Sequence, residues 1–312
     1  MRRDRHFALL SLACVWFAGT GMPRVAAQTS TPSVSVEVRG EPAQPGSVLA
    51  ITATTSSDAK GVSATAFGQT ATLVRDGSAR RWRGLIGVDL ATTTSSSLVV
   101  LADVEGGQSL GTTNPVKLKP RQFATRRLSV ASRFVDPAPE ELERIRLEAT
   151  RLEAIFAAVT VPDRIDAFVQ PIPGVPGGNF GSRSIFNGEA RAPHAGADFR
   201  GATGTPIAAP GGGRVVLAED LFFTGQTVVI DHGLGLYSLL AHLSRIDVRS
   251  GQAVSRGDVV GLLGATGRVT GPHLHWTVRL NGARVDPLRL VALLAPAQSG
   301  AVSRGGAVKP AP

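Results

Sequence analysis

The sequence predicts a mainly β protein: an N-terminal Ig-like β-sandwich, a linker helix and a C-terminal antiparallel β domain. Three patterns predict it. Short runs of alternating apolar residues fill two stretches of the chain, a helical period separates them, and Pro-Gly, Asp-Gly and Gly-Gly pairs punctuate the strands. With 312 residues, 43% of them hydrophobic, the chain can bury a core in each of two domains.

Residues 1–27 read as a signal peptide. Arg2, Arg3 and Arg5 form a basic start, Phe7 to Gly19 is apolar but short for a bilayer, and Val25-Ala26-Ala27 offers small residues for cleavage. This implies export, to the periplasm or cell envelope. A competing reading anchors the chain through a lipid on Cys14, although Ser11-Leu12-Ala13 matches a lipobox poorly. Cleavage after Ala27 removes the only cysteine, so the mature chain relies on packing and metal rather than disulfides. The formal charge of +9 favours anionic partners. Outside the cytoplasm these are cell-wall polymers, lipid headgroups or polysaccharides, not nucleic acid.

The Ig-like sandwich is expected over 31–122. Val34, Val36 and Val38 share one face, Leu49, Ile51 and Ala53 another, and Trp82 to Leu90 and Leu98 to Val104 are further strands. It holds no histidine or cysteine, and no catalytic site is expected in it. Residues 123–165 read as a linker with a helix at 139–158. Leu142, Ile145, Leu147, Leu152, Ile155 and Phe156 recur at helical intervals, and Glu141, Arg144, Glu148 and Arg151 offer (i, i+3) and (i, i+4) pairs. Its plain role is to separate the two domains. After the Pro- and Gly-rich loop Pro171 to Gly178, strand patterning fills the second domain, 166–296. Gln226 to Ile230 and Leu236 to His242 form a hairpin, and Val259 to Leu263 and His273 to Leu280 follow, with a turn at Asn281-Gly282. The tail, 297–312, is expected to be disordered.

Five of the six histidines fall in this second domain, as His194-Ala-Gly-Ala-Asp198, His232, His242 and His273-Leu-His275. The cluster predicts a metal site, because imidazoles and a carboxylate are zinc ligands and three of them leave a fourth position for a reactive water. On a strand His273 and His275 share a face while Leu274 points into the core. No glutamate adjoins a histidine here and no His-Glu-x-x-His occurs, so the base is a histidine that does not bind metal, with His242 and His273 as candidates. His232 lies in a tight turn and is expected to make a structural hydrogen bond. Arg183 either binds an anionic substrate group or pairs with Glu189, and Arg268 either touches substrate or is solvated. Asn187 and Thr270 complete the candidate substrate contacts.

These motifs resemble the lysostaphin-type, or β-lytic, zinc metalloendopeptidases that cut peptidoglycan cross-bridges. The resemblance covers about Phe180 to Pro287. It rests on Phe180-Gly-Ser-Arg183, His194-Ala-Gly-Ala-Asp198, Gly204-Thr-Pro206, Asp231-His-Gly233, Ala241-His-Leu243 and Gly271-Pro-His-Leu-His275. It implies a barrel-sandwich-like peptidase domain and one Zn2+ per chain, held by His194, Asp198 and His275. His242 and His273 would be the catalytic pair. The implied reaction is hydrolysis of D-Ala-to-diaminopimelate cross-links, with glycine bridges as the alternative, by a monomer associated with peptidoglycan and the envelope machinery. Leu240 and Arg268 depart from the family pattern, and both are expected to line the cleft. Relatives that have lost ligands activate cell-wall amidases, but here every ligand position is filled. The run Gly251 to Gly261 is similar to biotinyl and lipoyl carrier domains, yet no lysine lies between Lys119 and Lys309 to be modified.

Overall fold

The computed structural model describes residues 33–295 apart from 41, 105–108, 162–164 and 178. The signal peptide at 1–27, the Cys14 alternative and the tail at 297–312 lie outside the described residues. The first β layer contains β1 (Val34–Arg39), β2 (Val48–Thr55), β3 (Ala59–Ala66), β4 (Gln69–Arg75), β5 (Arg81–Gly87), β6 (Ser96–Val104) and β7 (Ser109–Val116). Their order is β1-β2-β5-β4-β3-β6-β7, with antiparallel neighbours throughout. Alternation builds the core: in β6, Leu98, Val100, Ala102 and Val104 are buried and the residues between them are not. The register sets Val36 opposite Ala53 and Val38 opposite Ile51, so the two apolar sets face one core with Leu73, Trp82 and Ile86. β4 meets β5 only at Val74–Arg83 and Arg75–Trp82, and β1 lies against β6 and β7, so the layer folds over its own core.

Next come β8 (Thr125–Leu128) and α1 (Pro139–Ala157). The helix begins where expected because Pro139 sits at its first position, where an N–H is not needed, and Glu141 accepts from the Ala138 N–H at 3.0 Å. Arg144 pairs with Glu148 at 2.6 Å, as the spacing predicts, and also with Asp220 at 3.1 Å. Arg151 pairs instead with Glu219. Leu152, Ile155 and Phe156 pack on Leu217, Tyr237, Leu239 and Ala241. The helix is therefore a buttress on the second domain rather than a free separator.

The second domain contains β9 (Arg183–Phe186), β10 (Glu189–Arg191), β11 (Gly196–Arg200), β12 (Pro206–Ala208), β13 (Gly213–Leu221), β14 (Gly225–Asp231), β15 (Leu236–Ile246), β16 (Ala253–Val254), β17 (Val259–Leu263), β18 (His273–Leu280), β19 (Ala283–Val285) and α2 (Pro287–Leu294). The main sheet runs β11-β18-β15-β14-β13-β16, with β17 on β15 and β12, and β19 on β18. A second, small sheet runs β10-β9-β8, in which β8 is parallel to β9. Residues 125–128, expected in a linker, thus belong to this domain's wall.

One face of the main sheet, with Leu240, Leu274, Trp276 and Val278, forms the principal core, which Val48, Ala50 and Leu85 of the first layer join. Across this junction Arg284 donates to Asp89 at 2.6 Å. Burial alone would raise the Asp89 carboxyl, but the Arg284 hydrogen bonds and charge outweigh it and hold its pKa at about 2. The two β units are docked directly. On the other face, Tyr237, Leu239 and Ala241 lie under α1 and pair with Arg279, Thr277 and His275 of β18. That face runs from the helix into the histidine cluster. Among the described residues no helix is long and apolar enough to cross a membrane.

Candidate metal centre

β11 and β18 place Asp198 opposite His275 and Arg200 opposite His273, so alternation puts all four on one face. His194 enters from the loop before β11, with its N–H on the Ser182 carbonyl at 2.9 Å and its carbonyl accepting from the Gly181 N–H at 2.7 Å. His194 Nε2, Asp198 Oδ1 and His275 Nδ1 converge at mutual distances of 2.9–3.0 Å. Three acceptor lone pairs so crowded are satisfied together by a cation. Their spacing approaches the ~3.4 Å edge of a tetrahedron with bonds of ~2.0–2.1 Å, and two imidazoles with a carboxylate suit zinc. Gly196 makes the approach possible, because a Cβ there would lie 2.5 Å from the Trp276 carbonyl oxygen and 2.8 Å from His275 Cε1.

Neighbouring groups orient the three. Thr277 Oγ1 lies 2.9 Å from His275 Nε2 and accepts from it in the tautomer that leaves Nδ1 bare toward Asp198, the form a metal requires. The Asn179 amide donates to Asp198 Oδ2, and the Arg126 guanidinium lies 3.8 Å from the same oxygen. Burial alone would raise the Asp198 carboxyl, but the adjoining His194 and His275 imidazoles hold it far below the ordinary carboxylate range. Burial pushes the His275 imidazole down, against the pull of Asp198.

His242 reaches the site by an irregularity in β15. Ala241 pairs with His275, so strict alternation would send His242 into the core beside Leu240. Instead the pairing with β14 steps from Leu240–Val228 to Leu243–Gln226, which leaves Ala241 and His242 together opposite Thr227. In this β-bulge His242 takes φ +66°, and its ring turns back to stand 4.8 Å from that of His273 and 6.0 Å from that of His275. A non-glycine residue held there stores strain of about 1–3 kcal/mol, a pattern concentrated at functional sites. His242 Nδ1 faces the Thr266 carbonyl and His273 Nδ1 the Gly271 carbonyl, each at 2.8 Å. Both rings therefore carry their proton on Nδ1 and leave Nε2 free; Nε2 of His273 is 3.9 Å from Asp198 Oδ1. Burial first, and then the closeness of His275 and His273, which opposes a further positive charge, pushes His242 down to about 3, so it is neutral at pH 7.

The cleft holding these groups has a volume of about 640 Å3. Arg268 and Thr270 line it; Arg183 and Asn187 do not. On β9 the residues that face the cleft are Ser184 and Phe186, so alternation turns Arg183 outward, and Glu189 is taken by Arg191 at 2.7 Å. Asn187, at φ +49°, sits in the β9–β10 turn and clamps both backbone groups of Val130. Leu240 is fully buried in the core, because the bulge re-aims only the residues after it. His232 is structural in its contacts: Nδ1 faces the Gly212 carbonyl at 2.7 Å and Nε2 the Ser238 hydroxyl at 2.9 Å, and burial lowers its pKa to about 4. Asn179, Arg126 and Thr277 were not singled out from sequence. Thr277 carried a usable signal, being two residues beyond His275 on the same strand face.

A face of three converging ligand atoms with two further imidazoles defines a metal-hydrolase type of site, and comparison with known proteins narrows it. The model of peptidase family M23 matches residues 192–287. A crystal structure of an M23 peptidase from Pseudomonas aeruginosa is 34% identical with a TM-score of 0.62, covering 80% of this chain and 95% of that one. The chain belongs to peptidase family M23. Peptidoglycan DD-endopeptidase ShyA of Vibrio cholerae is 44% identical over 112 residues, 36% of this chain and 26% of ShyA. DD-carboxypeptidase/endopeptidase Mpg of Neisseria meningitidis is 41% identical over 103 residues, 33% of this chain and 24% of Mpg. The match thus spans about a quarter of these curated relatives.

Proposed function

We propose that the protein is an exported, zinc-dependent D,D-endopeptidase that hydrolyses D-Ala-to-diaminopimelate cross-links of peptidoglycan in the cell envelope. The observation that carries this is the convergence of His194 Nε2, Asp198 Oδ1 and His275 Nδ1 beside two imidazoles whose Nε2 atoms are free. The names of ShyA and Mpg support the substrate. In this reading His194, Asp198 and His275 hold the metal, with Thr277 and Asn179 orienting them. Zinc, when bound, acts as a Lewis acid that polarises the scissile carbonyl and acidifies water.

The remaining chemistry belongs to the two unliganded histidines. With Nδ1 pinned to the Thr266 carbonyl and its pKa depressed, His242 is held neutral and accepts a proton at Nε2. His273 Nε2, beside Asp198, donates to developing negative charge only when the ring carries its second proton. The accepted proton then goes to the leaving amine. Arg268 and Thr270 contact the substrate. The domain reading is an Ig-like sandwich over 31–122, supported by a strand order in which β1-β2-β5-β4 and β3-β6-β7 match the two sheets of that fold, followed by the peptidase domain. The first domain spaces or braces the second, and the protein acts as a monomer, released by cleavage at Ala27 or anchored through Cys14. A filled ligand set speaks against a purely regulatory role.

The test is digestion of purified, diaminopimelate-type peptidoglycan by the zinc-loaded protein with mass spectrometry of the products. Cross-linked dimers should fall to monomers carrying a free D-Ala carboxylate and a free diaminopimelate amine. An unchanged dimer fraction with stoichiometric zinc bound would overturn the reading.

A further inference from the structure

The cleft carries more positive charge than the proposed hydrolysis uses. Three arginines line it from three different elements: Arg126 on β8, Arg200 on β11 and Arg268 in the loop before β18. Among the described residues the only carboxylate lining it is Asp198, which belongs to the candidate ligand set. Arg268 is half-buried with its guanidinium stacked between Phe186, at 4.9 Å, and Phe223, at 4.4 Å. Among the described residues no carboxylate pairs with it. Arg200 lies on the site face opposite His273, likewise without an ion pair among the described residues. Arg126 touches only the outer oxygen of Asp198, at 3.8 Å and with its side chain 35% exposed, so it stands directly beside the ligand triad. A half-buried guanidinium without a counter-ion, as at Arg268, is costly, and an anion entering the cleft offsets that cost, with the exposed Arg200 and the partly exposed Arg126 adding their charge. The flat face of Arg268, fixed by two rings, leaves its edge donors available in a fork that suits a carboxylate.

We propose that Arg126, Arg200 and Arg268 form an anion subsite that reads a free carboxylate on the substrate peptide next to the scissile amide. This rests on the endopeptidase reading and sharpens its substrate class. A cross-link made to the D-centre of diaminopimelate bears such a carboxylate, on the carbon attached to the scissile nitrogen. A glycine bridge has only neutral amides along its length and offers the subsite nothing. The wall strand β8 is what completes the trio, which gives the segment before the helix a role in selecting substrate.

The test is equilibrium binding, which needs no turnover. The probe is the leaving fragment, N-acetyl-L-Ala-D-Glu-diaminopimelate, prepared with the D-centre carboxyl either free or converted to a carboxamide, and titrated calorimetrically into the zinc-loaded full chain. The free carboxylate should bind about tenfold tighter or more, as a charge-assisted pair requires. Arg126→Gln, Arg200→Gln and Arg268→Gln should each shrink that ratio toward one, and Arg126→Lys should restore part of it. A wild-type ratio near one, no binding of either probe, or a ratio unchanged in all three glutamine variants would overturn the subsite, the last by assigning the carboxylate to the metal alone. Unchanged thermal unfolding of the variants separates a lost contact from a lost fold. The endopeptidase reading stands or falls separately, on the peptidoglycan digest.

Discussion

Gly196→Ala should damage the metal centre without replacing a ligand. The added Cβ would lie 2.5 Å from the Trp276 carbonyl oxygen, 2.8 Å from His275 Cε1 and 2.9 Å from Thr277 Oγ1. The carbonyl contact is roughly 0.9 Å short of the 3.4 Å at which ordinary contact begins. A ladder carbonyl cannot swing away, so β11 must move off β18, and Asp198, two residues on and registered with His275, moves with it. Metal sites tolerate about 0.5 Å of misplacement, and disturbed support around ligands typically costs ~10–100-fold in affinity. Overpacking of this kind also costs about 1–3 kcal/mol, which lowers Tm by roughly 2–4 °C per kcal/mol at this chain size. Zinc affinity measured by competition with a chelating dye, with thermal unfolding of the zinc-free protein alongside, checks both numbers. Wild-type zinc affinity in Gly196→Ala would refute the reasoning, because it would mean that β11 and β18 have room the geometry denies them.

Other consequences follow from the same contacts. His242→Gly and His242→Ala should both be inactive and bind zinc, but glycine should be the more stable by about 1 kcal/mol in chemical denaturation, since only alanine keeps a Cβ in the left-handed region. Equal stability would remove the strain from the account. Asp89→Asn should destabilise the protein by about 1–2 kcal/mol at pH 7 by breaking the junction with Arg284. Because the folded Asp89 pKa is lowered to about 2, that contribution is present above the unfolded value near 3.8 and is lost as pH falls toward 2. Wild type and variant should therefore converge in denaturant midpoint at the acid end. Thr277→Val should keep the fold and weaken zinc about tenfold by freeing the His275 ring, read by the same dye competition.

Much of the site was legible because ligand chemistry and strand alternation are written locally. His273 and His275, two apart on a strand, had to share a face, and β11 pairs Asp198 and Arg200 with them in register. His242 was identifiable as a spare histidine, but the bulge that aims it was not, since it depends on a step in pairing with β14 that no local pattern encodes. The same step explains why Leu240, adjacent in sequence, lies in the core. Arg183 and Asn187 failed as cleft residues for a related reason: which face of β9 looks inward is set by its partner β8, 58 residues earlier in register at Thr125–Arg183. Arg126 gave no local signal at all. The helix was plain from its period, whereas its docking on Tyr237 and Leu239 rather than free extension between domains was set by long-range packing.

The division of the cluster into three ligands and two proton-transfer groups is tested most directly by measuring zinc content and dimer hydrolysis together in four alanine variants. His194→Ala and His275→Ala should lose both. His242→Ala and His273→Ala should retain one zinc per chain while hydrolysis falls by at least ~100-fold, the usual contribution of a positioned acid or base. Loss of zinc in all four, or retained hydrolysis in the last two, would contradict the account.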